Sequence, residues 1–446
     1  MVTLEQLRGD TLLGARHIKL SANLDVFPKE LLKFADTLEV LDLSGNQLTS
    51  LPDEFASLQK LKILFCSDNP FKSLPTVLGR CPNLSMVGFK ANQIEEVSAE
   101  ALPPALRWLI LTDNQLTRLP DALGERPLLQ KLMLAGNHLQ GLPDSLQHCH
   151  RLELLRISAN RFSALPDWLF DMPKLTWLAV AGNSLNADRE CLAMQHSDVP
   201  SIPWSSLTLH ELLGQGASGL IYRASWRTDD GSDMPVAVKV FKSHVTSDGL
   251  PQSEMAAALR VGQHPHLTEV LGLVPDHPDR VSVLVMRLLD PHYKNLAGPP
   301  SFESCTRDVY ADSARFSLSE VIGLVLGVVD ATMHMHERGV MHGDLYAHNL
   351  LHDGRGRVLM GDFGAASLFD PANAKLAASL AALDVRAIGC LLKELLDRCH
   401  ALPAQLGVHK ALSDWRDRCL SDAPDRRPSL LSMAEALRFM TASPVV

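Results

Sequence analysis

Leucine dominates the first 186 positions and returns on a fixed schedule. The frame Leu38-Glu-Val-Leu41-Asp-Leu43-Ser-Gly-Asn46-Gln-Leu48 repeats around Asn23, Asn46, Asn69, Asn92, Asn114, Asn137, Asn160 and Asn183, at intervals of 23 residues with one of 22. The Leu-x-x-Leu-x-Leu spacing turns apolar side chains to a core, so each unit predicts one short parallel strand. The asparagine predicts a turn out of the strand, its amide satisfying backbone groups left unpaired there. Leu-Pro pairs at Leu51-Pro52, Leu74-Pro75, Leu119-Pro120, Leu142-Pro143 and Leu165-Pro166 then stop strand extension and start a convex return segment. No unit buries its apolar face alone, so about eight stack into an α/β solenoid over residues 1–186.

Between the core leucines lie strand positions that face outward on the concave side. One column reads His17, Val40, Ile63, Met86, Trp108, Lys131, Leu154 and Trp177. Its neighbour contains Phe65, Ile110 and Met133, interrupted by Lys19, Asp42 and Arg156. Such positions are ordinarily polar, so the stripe of Phe65, Met86, Trp108, Ile110, Met133 and Trp177 asks for a cover. Three covers are open: a protein substrate or regulator, the second half of this chain, or the side chains packing on one another.

The leucine period fails after Asn186, and Asp198, Pro200, Pro203 and Ser205-Ser206 mark 187–206 as a linker. Beyond it, glycine-punctuated apolar runs take over. Residues 212–221 read Leu-Leu-Gly214-Gln-Gly216-Ala-Ser-Gly219-Leu-Ile221, followed by the run Val236-Ala237-Val238-Lys239. Two strands joined by a glycine turn, with a lysine on the next strand, predict a lid over a triphosphate. A dinucleotide fold would open a helix at Gly219 instead. A lysine on a buried strand needs a counter-charge. Glu254, inside the strong helix former Ser253-Glu-Met-Ala-Ala-Ala-Leu-Arg260, is the candidate in preference to Asp248, a turn residue beside Gly249.

Further on, Asp344 and Asn349 stand five apart between apolar strands, and Asp362 follows Asn349 by 13 in Gly361-Asp362-Phe363-Gly364. The glycine loop, Val-Ala-Val-Lys, His-x-Asp-(x4)-Asn and Asp-Phe-Gly, in this order and spacing, resemble the eukaryotic-type protein kinases. The first half resembles cytosolic leucine-rich repeats, so the whole resembles a leucine-rich-repeat protein kinase. The resemblance implies an α+β bilobal kinase fold over 207–446 and the use of ATP and Mg²⁺. Gly214, Gly216 and Gly219 would cover the phosphates, and Ile221 and Ala237 would flank adenine. Met286 would gate the back of that pocket. Lys239, partnered by Glu254, would hold the α- and β-phosphates. Asp344 would take the acceptor proton, and Asn349 and Asp362 would bind the metal.

The same comparison exposes departures. Gly343 replaces the arginine that senses activation-segment phosphate, implying activity independent of phosphorylation. Tyr346 and His348 stand where the lysine of serine/threonine kinases and the arginine of tyrosine kinases are found. Arg386 replaces a tryptophan in Asp384-Val-Arg386-Ala-Ile-Gly389. Residues 365–383 contain no Ala-Pro-Glu, so Arg427 lacks its expected glutamate. The insertion from 292 to 315 or the repeats are candidates for the missing peptide recognition.

Composition narrows the class further. The net charge of -9 without a Lys/Arg run argues against nucleic acid or an anionic membrane as partner. Val321 to Val329, bounded by Glu320 and Asp330, is far short of the ~20 residues that span a bilayer. Eight scattered cysteines without Cys-x-x-Cys suit reduced thiols in the cytoplasm. The expectation is a kinase of hydroxyl side chains, serine/threonine rather than tyrosine, with the repeats binding substrate or regulating it. The alternatives are a pseudokinase scaffold and a kinase of a non-peptide acceptor.

Overall fold

The computed structural model describes residues 3–9, 12–196, 199–216, 218–242 and 245–442. The chain divides into two compact units, Met1–Leu175 and Thr176–Val446. In the first, each leucine frame yields a three-residue strand: β1 (His17–Lys19), β2 (Val40–Asp42), β3 (Ile63–Phe65), β4 (Met86–Gly88), β5 (Trp108–Ile110), β6 (Lys131–Met133) and β7 (Leu154–Arg156). They pair in parallel and in sequence order, placing Ile63 against Met86 and Met86 against Trp108, so the predicted columns are in register. A short helix, α1 (Leu4–Arg8), precedes them behind a Thr3 capping box.

The asparagines carry the turns. Asn137 accepts the Leu116 N–H at 3.0 Å and donates to Leu111 O and Leu134 O at 2.9 Å, closing one repeat onto the one before. Asn69, Asn92, Asn114 and Asn160 do the same, each almost fully buried. Asn23 differs. It is exposed at φ +53°, and the amide of Asn46 serves the first turn instead. Prolines 52, 75, 120, 143 and 166 each precede a single 3₁₀ turn on the convex side.

The second unit opens with the last leucine frame, β8 (Trp177–Ala179) and α2 (Ala187–Gln195). The stretch 187–206, expected to be a linker, therefore holds a helix up to Gln195 and, from Pro200 on, a segment laid on the sheet beyond it. Loss of the leucine period signals the end of the repeats, not the end of packing. Ile202 is buried, and its N–H donates to Leu273 O at 2.7 Å.

That sheet contains β9 (Leu207–Gln215), β10 (Gly219–Arg227), β11 (Asp233–Phe241), β12 (Val270–Leu273) and β13 (Val283–Arg287), antiparallel in the order β12-β13-β11-β10-β9. One face is an apolar core of Ala224, Val236, Val238, Val283 and Val285, capped by Ile202. The helix α3 (Pro251–Val261) follows β11, with Pro251 in its first turn. The helical part contains α4 (Leu318–Glu337), α5 (Ala374–Leu396), α6 (Leu406–Cys419) and α7 (Leu430–Thr441). By length and composition α4 could cross a bilayer, but Val321, Ile322, Val325 and Val328 are fully buried in the core. A Ser317–Glu320 capping box starts it.

Candidate active site

Strand pairing gathers the predicted nucleotide residues on one face. Ile221 opposes Lys239 across β10 and β11, and Ala237 opposes Met286 across β11 and β13. Side chains alternate along a strand while cross-strand partners share a face. Ile221, Ala237, Lys239 and Met286 therefore lie on the face opposite the valine core. Lys239 is 8% exposed and donates to Glu254 Oε1 from α3, which is 4% exposed. Burial pushes the Glu254 carboxyl above its ordinary range; Lys239 opposes this and Asp362 adds to it.

The glycine loop divides by role. A Cβ on Gly219 would stand 2.6 Å from Val240 O, so that glycine is required by the β10–β11 pairing itself. Gly214 and Gly216 have open space around the same position, so packing within the chain does not demand them.

The loop bearing Asp344 and Asn349, the candidate catalytic loop, hangs between two short pairings. Val340–Met341 pairs with Ser367–Leu368, and Leu350–His352 forms a hairpin with Val358–Met360. With Leu350 opposite Met360, that register brings Asn349 and Asp362 to one end of the hairpin. Asn349 donates its amide nitrogen to Asp344 O at 2.9 Å and to Asp344 Oδ2 at 2.8 Å. Asp362 adopts φ +55° and accepts the Gly364 N–H at 3.3 Å. The position of a Cβ on Gly364 lies 3.2 Å from Asp362 Oδ1, 3.8 Å from Glu254 Oε2 and 3.7 Å from Asp248 Cβ, so acidic side chains converge there. Asp248, read from sequence as a turn residue only, belongs to this cluster.

Neighbouring groups tie this loop to the helical part. Buried Asp384 accepts the His342 N–H at 3.4 Å and contacts His336 Nε2 at 2.8 Å. His342 reaches Gly361 O at 3.3 Å and packs near Phe363, ring centroids 6.0 Å apart. Arg427 donates to Ser421 O at 3.1 Å and Ala382 O at 2.9 Å.

Asp308 carries no sequence signal, since it lies in the 292–315 insertion without a motif. Its carboxylate accepts the His348 N–H at 3.1 Å and bonds His348 Nδ1 at 2.7 Å. Burial pulls that imidazole down. The Asp308 bond and the carboxylates of Asp308, Asp344 and Asp362 outweigh it and hold it above its ordinary value. The insertion thus braces the catalytic loop.

The concave stripe is only partly open. Ile63, Phe65, Trp108, Ile110 and Met133 are half-buried, whereas Met86 and Trp177 are 4% and 1% exposed. Part of the stripe packs on itself: Lys131 Nζ lies 4.1 Å from the Trp108 ring centroid, and the Trp108 N–H points to Met133 Sδ at 3.3 Å. Trp177 leaves the predicted partner surface altogether, because within its own unit it is stacked on Tyr346. A separate cavity of about 890 Å³ is lined by Arg189, His196, Arg260, Arg338 and Asp370; neither Lys239, Asp344 nor Asp362 reaches it.

Comparison with known proteins agrees with this geometry. Residues 207–388 match the family described as protein tyrosine and serine/threonine kinase, and 36–102 and 127–185 match leucine-rich repeats. A probable serine/threonine-protein kinase of Arabidopsis thaliana is 28% identical over 223 residues, covering 44% of this chain and 36% of that protein. Human cyclin-dependent kinase 10 is 27% identical over 219 residues, covering 44% of this chain and 56% of its own length. The serine/threonine-protein kinase PkaA of Streptomyces coelicolor is 28% identical over 286 residues, covering 53% and 50%. The chain spans about a third to just over half the length of these relatives. With the asparagine-closed parallel strands of one unit and the motif-bearing sheet and loops of the other, the chain carries leucine-rich repeats followed by a protein kinase domain.

Proposed function

We propose that this chain is a serine/threonine protein kinase that transfers the γ-phosphate of ATP to hydroxyl side chains, with Mg²⁺. The observation that carries the reading is the paired state of the site. Asn349 holds Asp344 through two hydrogen bonds while Lys239 is ion-paired to Glu254. Groups held in this way lose little entropy at the moment of reaction.

The residues fit a divalent cation. Asp362 and Asn349 offer hard oxygen donors, and the amide nitrogen of Asn349 is already committed to Asp344, leaving its oxygen for a ligand. When bound, Mg²⁺ neutralises charge on the transferring phosphate. The remaining work belongs to side chains of this chain. Lys239 would hold the α- and β-phosphates, and the backbone at Gly214, Gly216 and Gly219 would cover them. Ile221, Ala237 and Met286 would line the adenine side. Asp344 would accept the acceptor hydroxyl proton as the new O–P bond forms and ADP departs.

The test is transfer of radiolabelled γ-phosphate from ATP to a generic protein acceptor such as casein. Asp362→Ala should abolish it, and Asp344→Asn should lower kcat by about 10²–10⁴-fold with ATP affinity unchanged. Equal transfer by wild type and Asp344→Asn would sink the reading. The cytoplasm is the compartment we propose, because six of the eight free thiols are buried as ordinary core side chains.

A further inference from the structure

Three departures from the kinase pattern stand at Gly343 and Tyr346, on either side of Asp344, and at Arg386 on α5. All three meet one short stretch, residues 176–195, the last leucine frame and its helix, which lies in the same compact unit as the catalytic loop.

Gly343 adopts φ +70°, and a Cβ there would collide with Leu178 O and stand 2.8 Å from Ala365 O. The backbone of β8 therefore occupies the space into which a side chain at 343 would project. Next to it, Trp177 Nε1 donates to Leu345 O at 3.1 Å, and its indole stacks on Tyr346 at 4.0 Å and 11°. Leu345 and Tyr346 directly follow Asp344. Arg386 donates to Thr176 Oγ1 at 3.1 Å and to Leu420 O at 2.7 Å, anchoring the start of β8 to α5. The same stretch grips the activation segment. The Val180 N–H donates to Ser367 Oγ at 3.1 Å, Asn186 donates to Leu368 O at 2.6 Å, and Arg189 pairs with Asp370 at 3.1 Å. It also reaches α3: Glu190 accepts the Ser253 hydroxyl at 2.8 Å, one residue before Glu254, and the Gly182 N–H at 2.8 Å.

We propose that residues 176–195 are the positioning element of the kinase, built into the chain in place of activation-segment phosphorylation. One stretch ties Leu345 and Tyr346 beside Asp344, the 367–370 segment, and α3 with Glu254. These are the parts whose mutual placement phosphoryl transfer requires. Ser367, which a phosphorylated segment would have to expose, is 2% exposed and already serves as an acceptor in this tie. Trp177 and Glu190 are positioning residues, acting through Asp344 and Glu254 respectively.

The inference rests on the proposed kinase activity, so the full chain is assayed beside Asp344→Asn. Trp177→Ala should lower kcat at least tenfold with KM for ATP within about twofold, since a misplaced catalytic loop costs turnover rather than nucleotide binding. Trp177→Phe keeps an aromatic ring on Tyr346 but loses the bond to Leu345 and part of the stacked area, so it should recover part of that loss. It carries the test if the alanine variant fails to fold. Glu190→Ala should act on the other side, raising KM for ATP severalfold through α3. A folded Trp177→Ala with unchanged or raised kcat overturns the proposal; a rise would make the stretch an inhibitor. If wild type transfers no phosphate, the kinase reading fails, and the positioning role is judged on Mg-ATP affinity alone. Glu190→Ala must then weaken binding severalfold, and unchanged Kd overturns it.

Discussion

At the scale of single residues, several side chains answer to burial and local geometry rather than to motif. Gly343 cannot take a side chain, because a left-handed φ and two carbonyls leave no room. Gly343→Ala should cost about 2–5 kcal/mol, strain and overpacking together, read as a lower denaturation midpoint with lost transfer. The serines of 365–383 lead to a second expectation. Phosphatase treatment should leave activity within a few-fold, as should Ser379→Ala. Ser367→Ala, which strands the Val180 N–H, should instead lower stability by about 1–3 kcal/mol. Silencing by phosphatase would contradict the first point, and an unchanged denaturation midpoint in Ser367→Ala the second. Glu394 supplies a pH test. Burial, then Asp308, pushes its carboxyl up to about 7, while Tyr310 donates to it at 3.2 Å. The folded state therefore holds a proton that the unfolded chain releases near its ordinary value. That contribution is complete below the unfolded pKa and is lost as pH rises through about 7, an order of 3 kcal/mol. Glu394→Gln should flatten the fall of Tm between pH 5 and about 8, and an unaltered slope would assign the dependence to other groups.

At the scale of elements, the repeats and the sheet are stabilised by different means. Each repeat strand is only three residues long, too short to hold by its own ladder, so the buried asparagines close the stack. Asn137→Ala would leave the Leu116 N–H unpaired in the core and take one of two asparagine donors from each of Leu111 O and Leu134 O, which Asn114 and Asn160 still serve. Urea unfolding should show the first unit weakened by about 2 kcal/mol or more, whereas Asn23→Ala, exposed, should shift it little. The half-open stripe belongs to this scale too. Trp108 presents a large aromatic face beside Ile110, and such anchors often carry about 2 kcal/mol. If a protein substrate docks there, Trp108→Ala should raise KM for that substrate about tenfold and leave KM for ATP unchanged. Equal KM values would make the stripe packing alone.

At the scale of the whole molecule, the working boundary falls before β8 and not at the end of the repeat spacing. A fragment beginning at residue 207 would discard Ile202 from the sheet core, Trp177 from the catalytic loop and Glu190 from α3. One beginning at 176 would keep all three. The longer fragment should melt cooperatively and transfer phosphate, and the shorter should melt lower and transfer poorly. Equal behaviour of the two would show that the last leucine frame is dispensable.

The sequence by itself determined the repeat count and the register of the concave columns, and its motif spacing carried the resemblance that points to Lys239, Glu254, Asp344, Asn349 and Asp362 as the candidate site. Those depend on local periodicity and fixed spacing, which a linear string carries in full. Asn46 and its counterparts were legible because each acts on backbone one repeat away. Tertiary structure alone decided the rest. Trp177 has the same place in its frame as Trp108, yet one is stacked on Tyr346 and the other lies under the Lys131 ammonium. Asp308 reaches His348 across 40 residues, and Glu190 reaches Ser253 across 63. Arg386 and Gly343 looked like losses against the kinase pattern and proved to be the points where the last repeat enters it. Contacts of this kind link segments with no shared period, so their meaning exists only once the chain has closed on itself.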